Sequence, residues 1–280
     1  NTTSDTFKSV VPLSAWSSAS PMTFGREWGG SGIGTQTSNL VAGGYIYPPG
    51  RTAKTEEYNG SGWENITSIN ADKYVAGGAG SVTAGLVFGG TSPPYTGDTE
   101  EWNGSSWSEQ NNLGTARSMY CGAGGPGGQT AALASAGYNG SNVSNVEEYD
   151  GTSWSEVNDM ANPRGQCSGQ HIGTQTSALA AGGTLPGSPN YGALCEEYDG
   201  TNWTTGGALT EDSGRSYLAG FGTQTAAVAG GGYAQTGATA NSEHYDGSSW
   251  TAANNMNTGR YGASGTGTQT AGLAIGQYPG

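Results

Sequence analysis

The sequence predicts an all-β fold of the propeller class, six blades of four strands each. Tryptophan stands at 16, 63, 107, 154, 203 and 250, in steps of 47, 44, 47, 49 and 47 residues, so one unit repeats through the chain. The 52 glycines recur at fixed places in that unit rather than in a low-complexity run, which suits turns and close-packed strands and excludes a helical fold. Four short strands per unit of this length are what a propeller blade contains. Residues 1–280 therefore read as a single domain.

Taken from each tryptophan onward, the unit has a constant order. Six residues on comes an apolar side chain: Met22, Ile69, Leu113, Met160, Leu209 and Met256. Ten residues on comes a cation, Arg26, Lys73, Arg117, Arg164 and Arg260, with Arg215 delayed by two. A first strand follows, ending at a turn written Gly-Thr-Gln-Thr, as at Gly34, Gly173, Gly222 and Gly267. A run of small apolar residues around Leu40, Leu86, Leu133, Leu179, Val228 and Leu273 then reads as a strand buried on both faces. It stops at a pair such as Gly43-Gly44 or Gly182-Gly183. The third and fourth strands flank Asn-Gly or Asp-Gly, as in Glu196-Glu197-Tyr198-Asp199-Gly200-Thr201-Asn202-Trp203, where a type I′ turn is expected.

The two ends of the chain are complementary. It begins with a tryptophan strand at Trp16 and finishes with a leucine strand at Leu273, so Thr6 to Val11 is expected to supply the missing strand of the last blade. Such a clasp removes exposed strand edges. The series Trp, Met or Leu, Arg, a small apolar strand ending in Gly-Gly, then Glu-x-Tyr-Asp resembles the kelch repeat. That resemblance implies a six-bladed β-propeller with the strand after the arginine lining the channel. Its Gly-Thr-Gln-Thr variant is similar to kelch-like propellers of phage tail and virion proteins.

Charge and motifs exclude several functions. With a formal net charge of −13, only nine basic residues and 11% charged residues, the chain has no basic stripe for nucleic acid and none for an anionic membrane. No apolar run is long enough to suggest membrane insertion. Cys121, Cys167 and Cys195 signal neither a zinc site nor a disulfide framework. His171 and His244 lie at different repeat positions, so no metal site and no cofactor are expected. No nucleophile elbow, calcium loop or phosphate-cradling loop is present. The Asn-x-Ser/Thr sequons at Asn59, Asn103, Asn139 and Asn202 read chiefly as turn chemistry rather than glycosylation sites.

The repeated arginines and tryptophans are expected to serve the scaffold, since a position filled in every blade answers to the fold. The glutamate pairs are expected at solvated blade edges, and neighbours on a strand face opposite ways, so no pair can act on one substrate. What differs between repeats is the loop after each leucine strand, which carries Tyr45 and Tyr47, then Tyr95, Tyr138, Tyr191 and Tyr233. Tyrosines among Ser, Gly and Asn make a rigid, amphipathic contact surface. The expected function is a non-enzymatic, extracellular or virion-associated interaction module, of tail-fibre or decoration type, binding cell-surface glycan through those loops. A structural spacer contacting other virion or fibre proteins is the alternative, followed by a kelch-type protein-binding adaptor.

Overall fold

The computed structural model describes residues 15–28, 31–48, 50–119, 121–124, 128–167, 172–186, 192–211 and 214–276. Five four-stranded antiparallel sheets follow one another along the chain. The first is Ser31–Gly34, Asn39–Ala42, Thr55–Tyr58 and Trp63–Ile66, and the second Gly77–Ser81, Ala84–Phe88, Thr99–Trp102 and Trp107–Gln110. The third is Gly122–Ala123, Ala132–Tyr138, Asn142–Tyr149 and Trp154–Glu156, and the fourth Gly173–Thr174, Ser177–Ala181, Cys195–Tyr198 and Trp203–Thr205. The fifth is Ala219–Thr223, Ala226–Gly230, Ser242–Tyr245 and Trp250–Ala253. The architecture is an all-β propeller.

Against the six four-stranded blades expected, the described residues form five. The last repeat is a two-stranded sheet, Ser264–Thr268 with Ala271–Ile275, whose inner strand packs against the inner strands of both the fifth blade and the first. The Thr6 to Val11 segment expected beside it lies outside the described residues, and the tryptophan strand expected at Trp16 is not formed, since residues 15–22 lie in no strand.

Glycine lets the inner strands crowd the axis. A Cβ on Gly78 would stand 2.4 Å from the Ser31 Cβ, and one on Gly265 would stand 2.5 Å from the Gly220 carbonyl oxygen. Any side chain there would push two blades apart. The hydrophobic core lies between blades rather than within one layer. Leu86 shares a buried cluster with Tyr149 of the next blade, Leu133 with Tyr198, and Leu179 with Tyr245.

The outer hairpins differ from the expected type I′ turn. Tyr58 pairs with Trp63, leaving a four-residue loop in which Gly60, not Asn59, takes positive φ. The Asn59 side-chain oxygen instead accepts the backbone N–H groups of Ser61 and Gly62, each at 3.0 Å. Asp150, Asp199 and Asp246 do the same in their blades. The side chain thus satisfies donors that a two-residue turn would leave to the backbone. The aromatic pair closing each hairpin stacks with ring centroids 4.9 to 5.2 Å apart.

The glutamine of Gly-Thr-Gln-Thr has a task that its place in a turn conceals. Gln175 Nε2 donates to the carbonyls of Ala132 and Tyr149 in the preceding blade, at 3.1 and 2.7 Å. Gln129, Gln224 and Gln269 make the same double contact, so each clamps the second and third strands of its neighbour. In the second blade Val82 holds this position and packs into the core, while its carbonyl accepts the Trp102 indole N–H.

Candidate functional site

The repeat cations are consumed inside the blades. Arg117, Arg164 and Arg215 each meet a glutamate at 2.5 Å, namely Glu147, Glu196 and Glu243, and Lys73 meets Glu100 at 3.0 Å. Arg26 pairs with Glu56 in the same way. The guanidinium groups also donate to carbonyls at the end of the second strand and in the loop beyond it, as Arg215 does to Gly231 and Asn241. Each glutamate takes a backbone N–H from the segment leading to the cation, for example Ala161 to Glu196 at 2.9 Å. The first glutamate of each pair is therefore buried, not at a solvated edge. Burying a charge is costly unless it is paired and hydrogen-bonded; the ion pairs and carbonyls meet that need at the terminal nitrogens, while the Nε of Arg26, Arg164 and Arg215 stays buried without a partner.

The second glutamate is also committed. Tyr149 donates its hydroxyl to Glu101 at 3.0 Å and Tyr198 donates to Glu148 at 2.8 Å, each across a blade boundary. Tyr245 donates likewise to Glu197. Burial and then the carboxylate partner push the Tyr245 hydroxyl up to about 12. These glutamates hold blades together and offer no acid–base pair.

Arg260 departs from its five counterparts. It is half-buried and has no ion pair among the described residues; its unpartnered buried Nε is a feature that it shares with Arg26, Arg164 and Arg215. Burial lowers its pKa from the ordinary arginine value. The repeat position that would supply its glutamate, seven before the tryptophan, is Ser9.

The tryptophans sit at the blade boundaries. Trp107 donates its indole N–H to the Thr67 carbonyl and Trp63 donates to that of Ser20, both at 3.1 Å. Trp154 donates to the Thr99 hydroxyl at 2.9 Å. Trp203 and Trp250 stack on Tyr198 and Tyr245, and Trp16 meets the edge of Phe221 with centroids 6.1 Å apart.

The variable loops gather where the first strands begin, on the face opposite the Gly-Thr-Gln-Thr turns. The residue after each cation bridges to the start of a loop: Glu27 to Tyr45, Tyr74 to Thr91, Ser118 to Tyr138, and Ser216 to Tyr233. The rings then meet in three groups. Tyr45 packs edge-on to Tyr74 at 5.7 Å, and Tyr95 to Tyr138 at 5.8 Å. Tyr233 contacts Tyr261 at 5.0 Å, and Trp28 contacts Tyr217 at 4.9 Å and Tyr261 at 5.9 Å. Of the expected loop tyrosines, Tyr45, Tyr95, Tyr138 and Tyr233 thus lie on one face in aromatic contacts. Tyr47 stands apart from them, 80% exposed, and Tyr191 lies outside the described residues.

Trp28, Tyr74, Tyr217 and Tyr261 escaped the sequence reading. Their signal was available, because they occupy the first and second positions after the repeat cation and so adjoin the loops. At that second position Trp28, Val75, Gln166 and Tyr217 are left-handed, with φ between 52 and 59°. A non-glycine residue there costs about 1–2 kcal/mol. Hydrogen bonds between blades offset it: Tyr217 N–H to the Gln166 carbonyl at 2.6 Å, and Gly262 N–H to that of Tyr217 at 3.0 Å. Beside this ring Cys121 and Cys167 form a disulfide between the third and fourth blades, Cα atoms 5.6 Å apart, which their spacing did not reveal.

This face offers ring surfaces, hydroxyls and backbone groups. Among the described residues no three His, Cys, Asp or Glu side chains are grouped to hold a metal ion. No protein-family model matches the chain, and no curated protein matches it. A solved structure described as "Structure of YjhT" aligns with 92% of this chain and 92% of its own, at a TM-score of 0.74 and 11% identity. At that identity the likeness shows the propeller fold alone.

Proposed function

We propose that the chain is a six-bladed, kelch-like propeller acting as a non-enzymatic interaction module, extracellular or virion-associated, whose variable-loop face binds cell-surface glycan. A tail-fibre or decoration protein of a phage is the setting this reading favours. The observation that carries it is the run of half-buried aromatic rings on the face where the repeats differ, while the repeated charges are spent inside the blades. Rings held by one another present CH–π and hydroxyl contacts at little entropic cost, which suits pyranose faces.

The sixth blade draws support from two half-made contacts. Gln36 donates to the Gly272 carbonyl at 3.3 Å, the first half of the clamp its counterparts make, and the other acceptor falls by repeat position on Val11. Gly276, at φ +73°, faces the Arg26 carbonyl as Gly43 faces that of Lys73. A strand from the N-terminal segment would complete both blade and clamp.

Binding of the purified chain to a broad glycan array, with calcium and with chelator, tests the functional reading. Retention of a related group of sugars is expected; an array with no signal in either condition rejects it. A spacer role is favoured by one feature, the cavity of about 490 Å3 on the opposite face, where like turns of successive repeats surround the axis. Concentration-dependent assembly without ligand would support that second reading.

A further inference from the structure

We infer that the cleft between the closing two-stranded sheet and the first blade is the subsite that seats a neutral, hydroxyl-rich sugar unit, an assignment that rests on the glycan-binding reading above. The cleft has a volume of about 470 Å3 and is walled by Pro21, Met22, Glu27, Tyr47, Arg260 and Gly276. It is where the repeat symmetry fails. In five blades the cation is answered by a glutamate, whereas Arg260, which lines this cleft, has no ion pair among the described residues.

The groups around it form a complementary set. Glu27 is partly exposed, its backbone is fixed by two hydrogen bonds to Tyr45, and its carboxylate has no partner among the described residues. Arg260 can only donate and Glu27, ionised, can only accept, so together they match the paired donor and acceptor of a sugar hydroxyl. A carboxylated or sulfated sugar would gain Arg260 but meet Glu27, which is why the neutral unit is assigned. Tyr47 supplies the platform, carried in the turn of the hairpin Tyr45–Ile46 and Gly50–Arg51. That hairpin is braced at its base by the Arg51–Asp72 ion pair, 3.2 Å, and by the Tyr45–Tyr74 contact. The hairpin strands that carry Tyr47 are fixed at their base before any ligand arrives, which lowers the backbone ordering cost of binding.

Gly25, which also lines the cleft, allows a direct test. A Cβ added there would meet nothing within 4 Å, so Gly25→Leu fills the space without disturbing the fold. Wild type, Gly25→Leu, Tyr47→Ala and Glu27→Gln would be titrated with the neutral oligosaccharide best retained on the array, with thermal melts confirming folding. Each substitution is expected to weaken binding at least tenfold. Array signal with the three variants binding as wild type does, or signal confined to carboxylated or sulfated sugars, overturns the cleft assignment and leaves the glycan reading standing. A silent array removes both.

Discussion

At Arg117 and Glu147 two opposite charges sit within a blade at 2.5 Å, with no exposed surface to speak of, and each completes the other's hydrogen bonds. Arg117→Ala leaves the glutamate buried and uncompensated and is expected to cost about 3–5 kcal/mol in denaturant unfolding. Arg260→Gln breaks no such pair and is expected to cost under about 1 kcal/mol. The exposed turn aspartates set an acid limit. Backbone N–H groups of Ser249, the Ser248 hydroxyl and the Ser248 N–H hold Asp246 down to about 2 from an ordinary 3.8. A folded pKa below the unfolded one gives stability that is present above pH ~4 and lost as pH falls toward 2. Asp246→Asn should keep the turn, as Asn59 and Asn103 do natively, and reduce the fall in melting temperature between pH 4 and 2. Sequence periodicity located these cations and carboxylates but not their pairing, because Arg26 and Glu56 are thirty residues apart and only the sheet brings them together.

Hairpins and boundaries were legible to different degrees. The Glu-Glu-Tyr and Trp strands pair as their spacing implies, since aromatic residues flanking a polar turn specify a local structure. The glutamine clamp was hidden, because its acceptors are backbone carbonyls of another repeat and leave no trace in side-chain identity. Gln175→Ala should strand the Ala132 and Tyr149 carbonyls and lower stability by about 1–3 kcal/mol, measured by chemical denaturation. Gly182 is constrained for a different reason: its φ is +68°, and a Cβ would stand 2.5 Å from the Arg215 carbonyl oxygen. Gly182→Ala is therefore expected to exceed the conformational cost of about 1–2 kcal/mol. The loop tyrosines, and Trp28 and Tyr217 by their place after the repeat cation, could be assigned to one face from the order of elements, whereas the contact of Trp28 with Tyr217 required the ring, which brings the first and fifth blades together over Gly262.

Across the whole molecule, closure of the ring places the loops on one rim and leaves the cleft beside Arg260. The disulfide joins cysteines 46 residues apart and ties two blades, so it should stabilise the fold by about 2–4 kcal/mol. Reductant is expected to lower the melting temperature of the wild type and leave that of Cys121→Ser unchanged. The central proposal is that the six repeats form one ring, closed by the chain's own N-terminal strand. Hydrogen–deuterium exchange of the intact chain, followed by mass spectrometry of the peptide covering Thr6 to Val11, tests it most directly. Protection comparable to that of Thr55–Tyr58 and Cys195–Tyr198 is predicted. Exchange of that peptide at the rate of an unstructured chain, with the five blades protected, would contradict the closed ring of six.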